Sequence, residues 1–262
     1  MSPEPTAFKL KPVPSSAGAN ARKAGYRTSV TIDAGGVLAN EGCVDVRSLG
    51  IAGANHYFTP HNPPYYVSIP GAIQELYLRE TVAAKLKSVN ERLAPMGMEL
   101  FLFDAWRPQA VQCYFHDVWF PRWLQARKPE LEGQALVEEV EHYWAAPSAG
   151  VGSPSPHSTG GAVDLTLIFT QTRQPLFMGG MFDDVTEDAW TDAFERKPII
   201  SMSDAEAQAN RRFLYWLMDE AGFANNPTEW WHFSYGDQLW AKLGGHPAAL
   251  YGGCDPNGTH DA

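Results

Sequence analysis

His157 and Asp164 stand seven residues apart in Ser155-Pro156-His157-Ser158-Thr159-Gly160-Gly161-Ala162-Val163-Asp164, and Glu229 and His232 stand three apart in Glu229-Trp230-Trp231-His232. Catalytic zinc usually takes three ligands from His, Asp, Glu or Cys and keeps one position for water. Two imidazoles and two carboxylates therefore supply three ligands and one free carboxylate for general-base work, the division that metal-assisted hydrolysis needs. Seven is an odd separation, so on an ideal strand His157 and Asp164 would face opposite sides. Gly160-Gly161 can supply the bend that brings them together. The rival reading is a plain turn before a strand, with His157 exposed. Glu229 and His232 share neighbouring faces in a helix or turn, but not on a flat strand. Their rival reading is a core segment with Trp230 and Trp231 packed and the polar pair at its ends. The two motifs together are the one plausible metal set, because no cysteines cluster.

Phe103-Asp104-Ala105-Trp106-Arg107-Pro108 ends a strand, and catalytic groups often sit on the loops that follow such ends. Arg107 offers a permanent charge and a fork of donors for a carboxylate or a developing oxyanion. An Asp104–Arg107 ion pair closing the turn explains the same residues, and both readings can hold together. In Met178-Gly179-Gly180-Met181-Phe182-Asp183-Asp184, one of two adjacent carboxylates could receive a substrate ammonium; ordinary loop solvation is the alternative. Residues 56–66 hold four aromatics and tandem prolines, which suits the rigid wall of a cleft. His61 lies in that loop; His56, His116, His142, His246 and His260 have no partner at comparable spacing.

The elements that must position these groups are legible in outline. Apolar spacing predicts a helix over 72–93, a strand over 98–103, helical stretches over 109–125 (interrupted by Pro121) and 134–143, and a strand over 162–169. A long connection covers 170–203. Ser203-Asp204-Ala205-Glu206 reads as a capping box opening a helix that stops at Gly222. Residues 229–235 read as a strand. Strands and helices alternate without a β-α-β period, so the expected fold is α+β: one domain with a small, mainly antiparallel central sheet flanked by helices, and the metal site in a cleft on the sheet. Residues 1–26, rich in Pro, Ala and Ser, read as a flexible arm, 27–243 as the domain, and 244–262 as a Gly/Pro-rich tail.

The composition is globular, with 44% hydrophobic and 19% charged residues. A net charge of -10 argues against nucleic-acid or anionic-membrane partners. Three scattered cysteines read as free thiols in a reducing compartment. No signal peptide or membrane span is seen, so a cytoplasmic location is expected; oligomeric state stays open.

These residues resemble the signature of the D-alanyl-D-alanine dipeptidase family, the vancomycin-resistance-type zinc peptidases: Ser-x-His-x-x-Gly-x-Ala-φ-Asp followed by Leu-Thr-Leu, then Glu-x-Trp-His, preceded by Asp-x-Tyr-Arg-Pro. The matches are Ser155, His157, Gly160, Ala162 and Asp164, then Leu165-Thr166-Leu167, then Glu229, Trp231 and His232, with Asp104, Arg107 and Pro108 upstream. Segments 178–183 and 207–212 also correspond in place and order, and the similarity runs from about residue 44 to 235. The resemblance implies one zinc on His157, Asp164 and His232, with Glu229 as base and Arg107 as oxyanion clamp. It further implies that Asp183 receives the substrate's amino group and Ser155 its carboxylate, with Asp104 and Trp231 also at the substrate. The implied reaction is hydrolysis of a D,D-dipeptide such as D-Ala-D-Ala, in a small buried cavity that specifies both charged ends, within cell-wall peptidoglycan metabolism. A D,D-carboxypeptidase acting on wall peptides is the in-class alternative, and a non-catalytic binding protein on the same scaffold the other. Two features depart from the family: Trp106 replaces its Tyr, and the aromatic loop stands where it has Asn-Phe-x-Gly.

Overall fold

Among the described residues seven short strands form two sheets: β1 Cys43–Asp45, β2 Ala52–Gly53, β3 Tyr77–Arg79, β4 Met98–Asp104, β5 Ala162–Phe169, β6 Ala224–Asn225 and β7 His232–Ser234. The computed structural model describes residues 5–144, 146–147, 152–256 and 258. The main sheet runs β2-β4-β5-β7-β6, and β1 pairs with β3 in a separate ribbon. The α+β class is as expected, but the main sheet is mixed: β2 runs parallel to β4, while β4–β5, β5–β7 and β7–β6 are antiparallel. Its central strand β5 is buried at every residue except Phe169, so both of its faces are covered.

The two faces are chemically distinct. Leu100 and Leu102 of β4 lie opposite Leu167 and Leu165, and Val163 lies opposite Phe233 of β7. These side chains join one apolar core with Val82, Leu86 and Val89 of the helix Glu80–Leu93 and with Phe213, Leu214 and Leu217 of the helix Met202–Glu220. Alternation puts Asp164 on the other face, directly opposite His232. Unbroken alternation would leave Asp104 on the apolar side with Leu100 and Leu102. A register shift between Leu102 and Asp104 instead sets Asp104 opposite Asp164. Such a bulge re-aims the side chain that follows it.

Several boundaries differ from those read in the sequence. The first long helix starts at Glu80, not at residue 72, because Tyr77–Arg79 is claimed by the ribbon with Cys43–Asp45. The stretch 109–125 is helical throughout but passes through a π turn at Phe115–Trp119, just before Pro121. Proline has no N–H for the regular ladder, and the wider turn absorbs the mismatch. The capping box is Ser201 with Asp204, two residues before the pair read from sequence. Residues 229–231 form a turn, and the strand begins only at His232.

The arm read as flexible is packed. Ser16 donates its N–H to the Asp192 carboxylate at 2.8 Å, Trp216 Nε1 donates to the Lys11 carbonyl at 2.9 Å, and Phe8 and Val13 are buried. The tail folds back too: Ala249 bridges to Ile32, and Tyr251 is buried. Cys43 and Cys254, 211 residues apart in the chain, meet as thiols at 3.4 Å. Among the described residues no helix is long and apolar enough to cross a membrane.

A buried cation is one of the anchors of the long connection 170–203. Arg211, on the Met202–Glu220 helix, donates to the carbonyls of Met178 (2.6 Å), Trp190 (2.6 Å) and Asp188 (2.7 Å). Arg211→Met keeps the apolar volume and leaves three carbonyls without donors, at ~1 kcal/mol or more each. Urea denaturation should show a loss of roughly 3 kcal/mol; a loss under about 1 kcal/mol means that the loop holds itself.

Candidate active site

Asp104, Asp164 and His232 occupy adjacent positions across three neighbouring strands, which fixes their side chains on one face. His157 reaches the same point from the turn Pro156–Thr159 just before β5. That turn ends at Gly160, whose φ of +69° is left-handed, and a Cβ on Gly161 would lie 2.5 Å from the Tyr235 carbonyl. The glycine pair therefore makes the bend that the odd spacing demands. Glu229 comes from the tight turn before β7: its N–H donates to the Asn226 carbonyl and its own carbonyl accepts from His232 N–H. The Asn225 side-chain amide bonds the carbonyls of both Glu229 and His232 at 3.2 and 3.0 Å.

The ring nitrogens are aimed by what lies behind them. His157 Nδ1 is 2.7 Å from the Ala105 carbonyl, an acceptor only, so it carries the proton and leaves Nε2 with a lone pair. His232 Nε2 is 3.2 Å from Ser234 Oγ, and its Nδ1 faces inward. His157 Nε2 and His232 Nδ1 come within 3.2 Å of each other. Asp164 adds Oδ2 at 3.3 Å from His157 Nε2 and Oδ1 at 3.0 Å from His232 Nδ1. Asp164 is 1% exposed and the two histidines 4% each. Burial works to raise the Asp164 pKa, but the two imidazoles overcome it and hold the carboxyl well below the usual carboxylate range. Burial likewise opposes charge on His232, and Asp164 reverses that, raising the imidazole pKa. Two imidazoles and one carboxylate, buried and with one donor atom of each within 4.8 Å of the others, can hold a metal ion. Nitrogen and oxygen donors of this kind, without thiolates, suit zinc, and imidazoles oriented by acceptors behind them are its usual arrangement.

Arg107 stands beside this cluster, 7% exposed. Its Nε donates to Asp104 at 2.8 Å and one terminal nitrogen to Gln112 at 3.1 Å. The other terminal nitrogen makes longer contacts, to Asp164 at 3.3 Å and the Tyr57 hydroxyl at 3.4 Å. The guanidinium also lies over the ring of Trp144 at 4.6 Å. Burial disfavours its charge, but Tyr57, Asp104, Asp164 and Asp183 together push its pKa above the ordinary value. Asp104, expected at the substrate, is 0% exposed and does not line the cavity. Its carboxylate is occupied behind the site by Arg107 and stands 3.4 Å from His157 Nδ1, so the ion-pair reading of this turn is the one the packing carries. Trp106 also points away, donating its indole N–H to the Cys254 carbonyl.

Arg107, His157, Asp164, Glu229 and His232 share one cavity of about 910 Å³, whose lining includes Ser155, Asp183 and Trp231. The small enclosure expected from sequence is thus replaced by a space near the upper end of small-molecule pockets. Glu229 Oε2 lies 3.7 Å from His232 Nδ1, at the edge of the ligand cluster. At another side Asp183, with a φ of 59°, accepts hydrogen bonds from the hydroxyls of Tyr57 (2.8 Å) and Tyr65 (2.9 Å). Positive φ in a non-glycine residue is strain of the kind that collects at functional sites. Gln112, Trp144, the Lys23 side chain and the Ser234 hydroxyl are groups of the site that belong to no sequence motif. The aromatic loop signalled a cleft wall, but which of its rings would turn inward depends on the tertiary fold. His61 is exposed and outside the cavity; His260 and the His142 side chain lie outside the described residues.

Comparison with known proteins places the chain in a family. The sequence profile of the D-ala-D-ala dipeptidase family of peptidases matches residues 55–246. The D-alanyl-D-alanine dipeptidase of Synechocystis sp. is 37% identical over 180 residues, covering 63% of this chain and 71% of that one. The corresponding protein of Enterococcus faecalis is 31% identical over 160 residues, covering 61% and 73%. A solved structure of a vancomycin-resistance D,D-pentapeptidase in complex with Zn(II) aligns at a TM-score of 0.38 with 14% identity, over 76% of this chain and 93% of that one, too distant a likeness to bear on the site. With the profile spanning the strand-end loop, the ligand cluster and the Glu229 turn, the chain belongs to the D-ala-D-ala dipeptidase family, zinc metallopeptidases that hydrolyse D,D-peptides.

Proposed function

We propose that this chain hydrolyses a D,D-dipeptide such as D-Ala-D-Ala, with one zinc ion held by His157, Asp164 and His232. The observation that carries the reading is the position of the Glu229 carboxylate, 3.7 Å from the inward-facing nitrogen of His232 and on the same cavity as Arg107. Zinc, when bound, supplies Lewis acidity, which activates water and polarises the scissile carbonyl. Glu229 takes a proton from the attacking water and returns it to the leaving amine. Arg107 is held at its stem by Asp104 and Gln112, and its longer-contact nitrogen turns to the developing oxyanion. Loss of such a donor typically costs ~100- to 1000-fold in rate. Asp183, backed by Tyr57 and Tyr65, receives the substrate ammonium; Ser155 bonds the carboxylate, and Trp231 forms a wall. The substrate belongs to peptidoglycan metabolism and is met in the cytoplasm.

The cavity volume favours a second reading, a D,D-carboxypeptidase acting on longer wall peptides, since about 910 Å³ exceeds what a dipeptide fills. A non-catalytic metal protein would have no use for Glu229 in its observed place. Assaying D-Ala-D-Ala beside its L,L and L,D isomers and an acylated tripeptide separates these readings; exclusive cleavage of the tripeptide selects the carboxypeptidase.

Glu229→Ala should bind zinc at one equivalent per chain while hydrolysis falls at least ~100-fold. Full turnover by this variant removes Glu229 from the mechanism. His157→Ala and His232→Ala should each lower the zinc content on elemental analysis, and unchanged zinc in either dismisses that ligand.

A pH dependence follows from Asp183. Burial, joined by the nearby Asp164 charge and opposed by Arg107, Tyr57 and Tyr65, pushes its carboxyl up to about 8. In the unfolded chain it ionises near its ordinary value of about 4. Between those limits the native state holds the extra proton, so stability falls as pH rises. Asp183→Asn abolishes that fall. In metal-free protein, the thermal midpoint of the variant relative to the natural chain should climb from pH about 4 to pH about 8 and then level. A difference independent of pH means that Asp183 titrates normally.

A further inference from the structure

The family match begins at residue 55, yet part of the cavity wall comes from residues 20–27 of the N-terminal arm. That segment is fixed at both ends. Upstream, Ser16 bonds Asp192; downstream, the Arg27 guanidinium donates to the carbonyls of Ala146 (2.6 Å) and Ser153, and Gln238 holds the Arg27 carbonyl at 3.1 Å. Between these anchors Lys23 reaches over the Glu229 turn. Its ammonium donates to Thr228 Oγ1 at 2.7 Å and Asn226 Oδ1 at 3.1 Å. Both partners are neutral oxygens, and among the described residues no carboxylate lies within ion-pair distance of it. An ammonium has three donors, and these two bonds use two.

We propose that Lys23 joins Ser155 in binding the C-terminal carboxylate of the substrate and supplies its charged partner, a recognition element that this chain supplies from outside the family-matched region. The inference rests on Glu229 being the group that protonates the leaving amine. In a D,D-peptide that amine nitrogen and the terminal carboxylate carbon flank one α-carbon and lie about 2.5 Å apart. Whatever binds the carboxylate must therefore stand close to the protonating base. Lys23 is tied to the residue adjacent to Glu229, and the charge on Glu229 is felt at its ammonium, where it opposes the lowering of the pKa by burial. The cavity then has two poles: Asp183 for an ammonium and Lys23 for a carboxylate. A space too large to select by volume selects by end groups, because a buried charge without its partner is costly.

The test compares the free acid D-Ala-D-Ala with its C-terminal amide, D-alanyl-D-alaninamide, in the zinc-loaded full chain. A charge-assisted hydrogen bond contributes about 1.5–3 kcal/mol, which corresponds to roughly 10- to 100-fold. The natural chain should prefer the acid by that factor in KM. Lys23→Met should remove most of the preference by raising KM for the acid, leaving the small share that rests on Ser155, and should leave KM for the amide unchanged; Lys23→Arg should restore most of the preference. The same comparison by calorimetric binding in the Glu229→Ala background needs no turnover. A chain that binds the acid selectively but does not cleave it removes the dipeptidase reading and supports the Lys23 assignment. Retention of the acid preference in folded Lys23→Met, whether in KM or in binding, overturns the assignment.

Discussion

The buried carboxylate of Asp164 is the constraint from which the site is built. At 1% exposure an isolated carboxylate would be prohibitively costly, so its surroundings must supply positive charge and donors. They do so from three directions: His157 from the turn ahead of β5, His232 from the neighbouring strand, and Arg107 from the loop after β4. Each partner is fixed from behind, by the Ala105 carbonyl, Ser234 and Asp104 respectively. Removing any one leaves buried charge uncompensated, an effect far larger than the loss of a surface ion pair.

This arrangement explains why the sheet carries a bulge and the turn a pair of glycines. β4 alternates Met98, Leu100 and Leu102 into the apolar core, and plain continuation would send Asp104 after them. The register shift turns Asp104 to the site face, where it anchors Arg107. Gly160 and Gly161 perform the corresponding service for His157. The local departures from regular structure therefore fall where charged side chains must be delivered to one point, and the regular parts supply the rigid backing.

The ligand motifs, the Arg107 loop, the central strand over 162–169 and the main helices could be read from residue types and periodicity, because each depends on neighbours within about ten positions. Asp104 is expected at the substrate through the family resemblance alone; its place behind Arg107 depends on a bulge that no local pattern announces. The capping box is ambiguous in sequence because Ser203-Asp204-Ala205-Glu206 satisfies the same pattern as the pair at Ser201 and Asp204. The packing of the arm leaves no local signal, because its prolines and small residues lack periodicity. Its anchors are hydrogen bonds and buried side chains, Ser16 to Asp192 and the Phe8 turn against the Met202–Glu220 helix, made to residues more than 100 positions away.

By itself the sequence determined which side chains are able to do chemistry: the nitrogens and oxygens that could meet a metal, and a further carboxylate and a cation in the order of the chain. Those properties reside in residue identity and short spacing, and short spacing is enforced by backbone geometry alone. The tertiary structure decided how large the cavity is, which tyrosines turn to Asp183, and that an arm distant in sequence lays Lys23 against the Glu229 turn. These outcomes depend on contacts between segments far apart in the chain, whose closeness only the packed core can set.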